Sequence, residues 1–297
     1  MIYNHITELI GNTPHLRLPS INNNQLYVKL EMFNPGGSVK DRIALSMVND
    51  LVERDLLNGA SKVVEATSGN TGIGLSFVLA SKGISFTAVM PENMSRERVD
   101  LFRAYGTHII LTPAALGMTG AIAKAKEMEQ EGYVYIDQFR NHANPEAHMK
   151  TTAEEILRDS PKLDYLVLGV GTGGTLTGLA RIIRKRYPNL KIIAVEPFES
   201  SVLQGLPKGP HKIQGIGAGF VPPLLETKEV DRIISIASAD AMNKAKLLAR
   251  QGLFLGISSA AAILASEIVA DQVKNAVILT VAPDGGAKYI STGAYEN

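Results

Sequence analysis

Residues 165–178 read YLVLGVGTGGTLTG. The apolar first half predicts a short buried strand, and the glycines after it predict a tight turn that leads into a helix. A strand followed in this way by a helix is the repeating unit of parallel sheets that are covered by helices. This stretch therefore predicts an α/β fold.

The same alternation of strands and helices continues in both directions along the chain. Short apolar runs rich in β-branched residues predict strands at residues 26–30, 63–65, 86–90, 108–111, 133–136, 165–170, 192–195, 233–236 and 277–281. Longer stretches with helical periodicity predict helices at residues 41–57, 71–82, 95–105, 118–130, 145–159, 174–187, 239–251 and 258–271. No repeat or low-complexity tract interrupts this pattern.

The composition predicts two lobes and a small-molecule partner. The chain has 297 residues, of which 45% are hydrophobic, and it exceeds the size at which one hydrophobic core usually stops growing. Its 30 basic and 29 acidic side chains nearly cancel. This balance argues against nucleic acid or an anionic membrane as a partner.

The sequence indicates a cytoplasmic protein. Its first residues lack the basic and apolar regions of a signal peptide, and no apolar run is long enough to span a membrane. The absence of cysteine excludes disulfides and a thiol nucleophile. Any sulfur in the reaction must therefore come from a substrate.

A lysine lies at the predicted start of the first helix, in residues 34–42, which read NPGGSVKDR. Glycines let the backbone come close to a bound group. Burial beside a helix N-terminus lowers the pKa of a lysine amine, which suits covalent chemistry with a carbonyl compound. Most lysines are solvated surface charges, but these neighbours make Lys40 a candidate catalytic residue.

A second motif, EATSGNTG at residues 65–72, lies between a predicted strand and a predicted helix. It can be an ordinary N-capped turn. It can also bind a carboxylate or a phosphate, because hydroxyl groups and backbone N–H groups meet at the positive end of a helix. Its three hydroxyls, two glycines and one amide exceed what capping requires, which favours an anion site.

The glycine-rich loop at residues 169–178 has two interpretations. Its Gly-x-Gly-x-x-Gly fragments are weak evidence for a dinucleotide site, and Glu196 lies where such a site expects an acid. The threonines between the glycines suit a single phosphate held by hydroxyl and N–H groups. We favour the phosphate, because a plain dehydrogenase needs neither the lysine motif nor a second anion loop.

Together with five further motifs, these three resemble the β-family, or fold-type II, pyridoxal-phosphate enzymes, and most closely the cysteine synthase (O-acetylserine sulfhydrylase) family. The resemblance covers nearly the whole chain. The motifs follow the family's order: NPGGSVKDR (34–42), TSGNTG (67–72), MPENMS (90–95), QFRN with ANP (138–141, 143–145), GTGGT (171–175), HKIQGIGAGF (211–220), GISS (256–259) and YIST (289–292).

The resemblance implies roles for individual residues around pyridoxal 5'-phosphate. Lys40 holds the cofactor through a Schiff base and later removes the substrate's α-proton. The other cofactor-binding residues are Asn70 at the ring hydroxyl, Gly171, Thr172, Gly173, Gly174 and Thr175 at the phosphate, and Ser258 at the pyridine nitrogen. The residues that bind the substrate carboxylate are Thr67, Ser68, Thr71 and Gln138, and those that line the pocket are Gly215 and Gly217.

The assignment of Ser258 has a chemical consequence. A neutral hydroxyl does not hold the ring nitrogen protonated as a carboxylate does, so the cofactor is a weaker electron sink. Loss of the β-substituent is therefore favoured over transamination.

The implied activity is β-replacement that forms L-cysteine from O-acetyl-L-serine and sulfide. Related reactions stay open: homocysteine as acceptor to give cystathionine, O-phosphoserine as donor, or breakdown of cysteine that releases hydrogen sulfide. A non-catalytic regulatory subunit with the same fold is a third possibility. The intact Lys40, Asn70 and phosphate loop argue against it.

The implied architecture has two lobes, each a mostly parallel twisted sheet flanked by helices, with the cofactor in the cleft between them. The smaller, mobile lobe is expected at residues 37–144, and the larger lobe at 1–36 and 145–297. A homodimer is expected, and the family resemblance also suggests binding of a serine acetyltransferase tail.

Four positions depart from the family's common pattern. Ala66 replaces a proline, residues 153–154 (AE) replace Gly-Pro, Ala260 replaces a glycine, and residues 284–288 (DGGAK) replace Ser-x-Gly-Glu-Arg. None removes a group named above, but they leave the donor and acceptor open. The six histidines have no His-x-x-x-His spacing, so no metal site is expected.

Overall fold

The computed structural model describes residues 2–93 and 96–296. Over these residues the chain forms ten strands, which make one six-stranded and one four-stranded sheet, with helices between the strands. The predicted α/β fold is confirmed. None of the helices in the described part of the chain is long and apolar enough to cross a membrane.

The strands and helices are numbered in chain order. The strands are β1 (His15–Leu18), β2 (Gln25–Leu30), β3 (Lys62–Ala66), β4 (Ser85–Pro91), β5 (His108–Thr112), β6 (Val134–Tyr135), β7 (Tyr165–Gly169), β8 (Lys191–Pro197), β9 (Arg232–Ile236) and β10 (Val277–Ala282). The α-helices are α1 (Lys40–Glu53), α2 (Asn70–Ser81), α3 (Arg96–Ala104), α4 (Gly117–Gln130), α5 (Ala143–Ala147), α6 (Ala153–Asp159), α7 (Gly174–Arg186), α8 (Ser238–Arg250) and α9 (Ile257–Gln272). A π-helical segment, His148–Thr152, joins α5 to α6.

The chain divides into two compact units. The smaller unit contains residues 2–10 and Asn34–Asn144, and the larger unit contains Gly11–Phe33 and residues 145–296. The N-terminal residues therefore group with the smaller unit, whereas the sequence placed all of residues 1–36 in the larger lobe. The reason is local, because the 3-10 helix Ile6–Leu9 packs against α2. The mobility of the smaller lobe stays a prediction.

The smaller unit is built on a parallel sheet with strand order β5-β4-β3-β6. Val64 and Ala66 of β3 point to one face, where they pack with buried apolar residues of α4. Because side chains alternate along a strand, Glu65 between them points to the opposite face.

The larger unit is built on the sheet β1-β2-β10-β7-β8-β9, in which only the β1 edge is antiparallel. The core helix α9 is rich in buried alanine and serine, which lets it pack closely on the sheet. A buried ion pair joins Lys29 Nζ on β2 to Glu155 Oε2 on α6 at 2.7 Å. The lysine also donates to the Thr13 carbonyl at 2.9 Å, so its charge is compensated.

All nine predicted strands are confirmed, and β1 was missed. Its four residues lie between Pro14 and Pro19 and give too short a pattern to recognise. The strand forms because it pairs with β2 in the register His15↔Lys29 to Leu18↔Leu26.

The predicted helices are confirmed with two differences. Helix α1 ends at Glu53 and not at residue 57, because Asp55 adopts a left-handed φ of 55° and the Leu56 N–H closes back on the Leu51 carbonyl at 2.9 Å. The predicted helix at 145–159 contains the π-helical segment, which periodicity did not indicate. Ser95, the first residue of the helix predicted at 95–105, lies outside the described residues, as does Met94, and these two residues end the MPENMS motif.

Candidate functional site

Lys40 is the first residue of α1 and is half-buried. The turn before it is held by two side chains. Asp41 accepts the Gly36 N–H at 2.6 Å, and the buried Ser38 hydroxyl accepts the Lys40 N–H at 3.2 Å. These two hydrogen bonds fix the backbone at the start of the helix. A lysine that holds a ligand needs a defined backbone position of this kind.

Helices α1 and α2 meet near Lys40. A Cβ atom built on Gly74 would lie 3.0 Å from the Lys40 carbonyl oxygen. The absence of a side chain at Gly74 lets α2 pack directly on the α1 backbone. The structure thus brings Lys40 beside the helix that begins with Asn70 and Thr71.

The loop from β3 to α2 carries the predicted carboxylate ligands Thr67 and Ser68. The buried Thr67 hydroxyl accepts the Gly72 N–H at 3.1 Å, so its own proton remains for another acceptor. Helix α2 has 12 residues and no acidic residue in its first turn. An anion at this helix start therefore meets a favourable field.

Gln138, far away in sequence, completes this group. Thr71 Oγ1 donates to Gln138 Oε1 at 2.7 Å, and Asn144 Nδ2 donates to the Gln138 carbonyl at 2.8 Å. Gln138 is 8% exposed, so its carboxamide is held in place. The structure therefore places Gln138 against Thr71, at the end of the loop that carries Thr67 and Ser68. Binding of a carboxylate by these four residues stays a prediction.

Glu65 also belongs to this group, although no role was predicted for it from the sequence. Its Oε1 atom accepts Gln138 Nε2 at 3.2 Å, and the residue is 1% exposed. Burial, and next the negative charge of Asp137, raise the pKa of Glu65 to about 8, against hydrogen bonds from Gln138 and the backbone that lower it. A glutamate at the end of an apolar strand, just before an anion loop, was the signal available in the sequence.

In the larger unit, the glycine-rich loop joins β7 to α7. Gly173, the N-cap of α7, has a left-handed φ of 83°. A Cβ atom on Gly171 would lie 2.5 Å from the Gly215 carbonyl, and one on Gly173 would lie 2.8 Å from Leu225. The loop therefore packs against the segment that contains Gly215 at distances that only glycine allows.

The loop and helix start suit a phosphate. Helix α7 has 13 residues, no acidic residue in its first turn and three basic residues in its last turn, so its N-terminus favours an anion. Thr172 is buried in the loop, and Thr175 is half-buried in the first turn. Glycine backbone, hydroxyl groups and a positive helix end match the donor set that a phosphate monoester needs.

His148 contacts the helix start that follows this loop, although no role was predicted for it from the sequence. Its Nε2 atom lies 3.1 Å from Thr175 Oγ1, and its Nδ1 atom lies 3.0 Å from Thr152 Oγ1. Thr177, in contrast, donates to the Leu224 carbonyl at 2.7 Å and accepts the Glu226 N–H at 3.0 Å. Thr177 therefore holds the helix in place, while the Thr175 hydroxyl is positioned by His148 in the first turn of α7.

Ser258 is the second residue of α9 and is 3% exposed. Its Oγ atom lies 3.5 Å from a Cβ atom built on Gly215, so the phosphate loop, Gly215 and Ser258 are neighbours in one unit. Gly217 follows, with its carbonyl 2.9 Å from His211 Nε2.

The departure at residue 284 places a buried carboxylate near the start of α9. Asp284 is fully buried, and its Oδ2 atom accepts the Tyr289 hydroxyl at 2.5 Å. Its carbonyl accepts the Gly256 N–H at 3.1 Å and the Ser259 hydroxyl at 3.2 Å. Asp284 thus fixes the N-terminal turn that carries Ser258.

Glu196, the acidic residue that a dinucleotide site would need, has other partners in the structure. Glu196 is 2% exposed, and its carboxylate accepts the Leu203 N–H at 2.7 Å and Gln204 Nε2 at 3.1 Å. Both oxygens of the Glu196 carboxylate therefore bond to residues of the same chain, and not to a ribose hydroxyl. Among the described residues, no group of three or more histidine, aspartate or glutamate side chains could hold a metal ion.

Comparison with known proteins agrees with this chemistry. Residues 6–284 match the model of the family described as pyridoxal-phosphate dependent enzyme. The cysteine synthase of Staphylococcus aureus is 46% identical over 98% of this chain and 96% of its own length.

Two solved structures are similar over nearly the whole chain. The O-acetylserine sulfhydrylase isoform 3 of Entamoeba histolytica is 41% identical with a TM-score of 0.96, covering 100% of this chain and 92% of its own. The O-acetylserine dependent cystathionine β-synthase of Helicobacter pylori is 36% identical with a TM-score of 0.94, covering 99% of both chains.

The raised pKa of Glu65 predicts how stability depends on pH. Between pH 4.5, its ordinary pKa, and about 8, the folded protein keeps a proton that the unfolded chain releases, so this group makes stability fall as the pH rises. In Glu65→Gln the amide cannot titrate. Denaturant midpoints measured over this window should shift in favour of the variant with rising pH, and a difference that stays constant would contradict the assignment.

Proposed function

The chain belongs to the pyridoxal-phosphate dependent enzyme family, and we propose that it is a cysteine synthase. The proposed reaction converts O-acetyl-L-serine and sulfide into L-cysteine and acetate. The observation that carries the proposal is the buried Thr71–Gln138 pair, which lies at the start of the helix that packs against Lys40 and which we assign to the substrate carboxylate. The S. aureus and E. histolytica relatives support the choice of substrates.

Pyridoxal phosphate, when bound, supplies an electron sink that makes the α-proton of an amino acid acidic. We assign its phosphate to residues Gly171, Thr172, Gly173, Gly174 and Thr175, its ring hydroxyl to Asn70 and its ring nitrogen to Ser258. Lys40 Nζ holds the cofactor and then accepts the α-proton. Thr67, Ser68, Thr71 and Gln138 hold the amino acid's carboxylate, and Gly215 and Gly217 leave room for its side chain.

A neutral Ser258 hydroxyl at the ring nitrogen would favour loss of the β-substituent, because it supplies no negative charge that would hold a proton there. Asp284 orients the turn that carries this hydroxyl and does not replace it. The intact Lys40 and both anion loops support an enzyme over a non-catalytic subunit.

Homocysteine is the second candidate acceptor. The H. pylori relative, similar over 99% of both chains, is named an O-acetylserine dependent cystathionine β-synthase. It shares the donor of the first proposal and differs in the thiol. Assaying O-acetyl-L-serine and O-phospho-L-serine against sulfide and homocysteine separates these activities.

We also propose that the enzyme is a cytoplasmic homodimer that can bind a serine acetyltransferase tail. Family membership is the support for each of these statements. The near-neutral net charge of +1 agrees with a partner other than a membrane or nucleic acid.

Lys40→Ala should abolish turnover and leave no cofactor attached after borohydride reduction, because Nζ is the proposed attachment atom. Lys40→Arg keeps the charge and should be equally inactive. The matched control is Lys228→Ala, an exposed lysine that should behave as wild type. Covalent attachment that survives in Lys40→Ala, measured by mass spectrometry, would show that another lysine is used.

Ser68→Ala should weaken substrate binding, whereas Thr175→Ala should weaken cofactor binding. Ser68→Ala should raise KM for O-acetyl-L-serine by about 10- to 150-fold, since losing a hydrogen bond to a charged group costs about 1.5–3 kcal/mol, and should leave cofactor content unchanged. Thr175→Ala should weaken cofactor retention in dialysis more than it changes KM. The reverse pattern would show that the carboxylate and the phosphate have been assigned to the wrong loops.

A further inference from the structure

The carboxylate site contains a buried chain of hydrogen bonds that the proposed reaction does not use. Thr71 Oγ1 donates to Gln138 Oε1 at 2.7 Å, and Gln138 Nε2 donates to Glu65 Oε1 at 3.2 Å. All three residues are less than 9% exposed. A hydroxyl, a carboxamide and a carboxyl group are therefore connected by hydrogen bonds between buried residues.

In this arrangement, Thr71 cannot donate to a substrate. A hydroxyl has one proton, and here that proton goes to Gln138. A carboxylate only accepts hydrogen bonds, and the Thr71 oxygen has no further proton to donate. The two groups could therefore not form a hydrogen bond. Binding a carboxylate at Thr71 thus requires the chain to be reversed.

The chain reverses if the Gln138 carboxamide turns over and Glu65 carries a proton. The amide Nε2 then donates to Thr71 Oγ1, and the Glu65 hydroxyl donates to Gln138 Oε1. Turning a carboxamide exchanges O and N at nearly equal positions, so the neighbours need not move. The Thr71 proton becomes available to the substrate.

We propose that Glu65 is a proton-linked positioning residue, which must carry a proton for the amino acid's carboxylate to bind and which, through Gln138, turns the Thr71 hydroxyl toward that carboxylate. This inference rests on the proposed function, because it takes the β3–α2 loop as the carboxylate site. Glu65 touches no substrate atom, and it acts through Gln138.

The surroundings of Glu65 favour the protonated form. Burial raises its pKa, and the negative charge of Asp137 raises it further. The half-buried Tyr135 on the neighbouring strand β6 also has a raised pKa, first because of burial and next because of the charge of Glu65. Asp137 and Glu129 raise the pKa of Tyr135 further, and Arg140 lowers it. From β4, the register partner is the apolar Ala88.

An arriving carboxylate adds a further negative charge near Glu65 and so raises its pKa further. Proton uptake and substrate binding therefore assist each other. Below a pH of about 8 the acid already carries the proton. Above it, binding must include protonation, and affinity should fall by up to about tenfold per pH unit.

The test compares L-serine binding to the wild-type holoenzyme and to Glu65→Gln, followed by the change in cofactor absorbance from about pH 6.5 to about 9.5. The variant's amide donates permanently to Gln138 Oε1 and cannot ionise. The ratio of the two Kd values cancels the titration of serine's amine and of Lys40. We expect this ratio, wild type over variant, to be constant below about pH 8 and to rise by up to about tenfold per unit above it.

Two controls separate proton linkage from a structural role. L-Serine amide lacks the carboxylate and should give a constant ratio. Glu196→Gln makes the same change at a buried glutamate of the larger unit and should keep the wild-type pH dependence. A purely structural role for Glu65 would change Kd equally at every pH, and a flat ratio for L-serine overturns the inference.

Infrared difference spectra of the wild type decide the matter if Glu65→Gln does not fold. Binding of L-serine at about pH 8.5 should increase the carbonyl band of a protonated carboxyl side chain, and L-serine amide should not. No increase with either ligand overturns the inference. If O-acetyl-L-serine is neither bound nor turned over at any pH, the proposed function fails; if it is turned over while ratio and spectra stay flat, only this inference fails.

Discussion

Parallel strand pairing is the constraint on which the rest of this molecule depends. The two loops that carry the candidate anion sites each leave the carboxyl end of a parallel strand and enter the positive end of a helix. The loop after β3 does so in the smaller unit, and the loop after β7 does so in the larger unit. The topology thus creates two anion sites, and a phosphorylated cofactor with an amino acid substrate supplies two anions.

The two anion sites differ in what lies behind them. Behind the loop of the larger unit, His148 bonds to Thr175, and the glycines pack on backbone at the Gly215 carbonyl. Such a site is preorganised and suits a group that stays bound. Behind the loop of the smaller unit lies the titratable acid Glu65, connected through a carboxamide that can turn. That arrangement suits a group that arrives and leaves in each cycle.

The sequence predicted most of the fold and most of the candidate site, because both are written in local patterns. The β-branched runs gave nine strands, and the motifs gave Lys40, the threonine loop and the glycine loop. What it missed has no clear pattern within the segment itself. Strand β1 exists through its pairing with β2, and the π-helical segment has no periodicity of its own.

Glu65 and His148 were missed for the same physical reason. Each has an ordinary neighbourhood in sequence, and each gains its importance from a partner brought to it by the fold, Gln138 in one case and Thr175 in the other. Asp284 was noticed only as a departure from a pattern. Its effect on the start of α9 required the hydrogen bonds to the Gly256 N–H and the Ser259 hydroxyl.

We assign one anion to each loop, and a crystal structure of the holoenzyme with L-serine tests this assignment. Density for the phosphate is expected at Gly171–Thr175, and density for the serine carboxylate is expected at Thr67, Ser68, Thr71 and Gln138. A phosphate on the β3–α2 loop, or a carboxylate on the glycine loop, would contradict it.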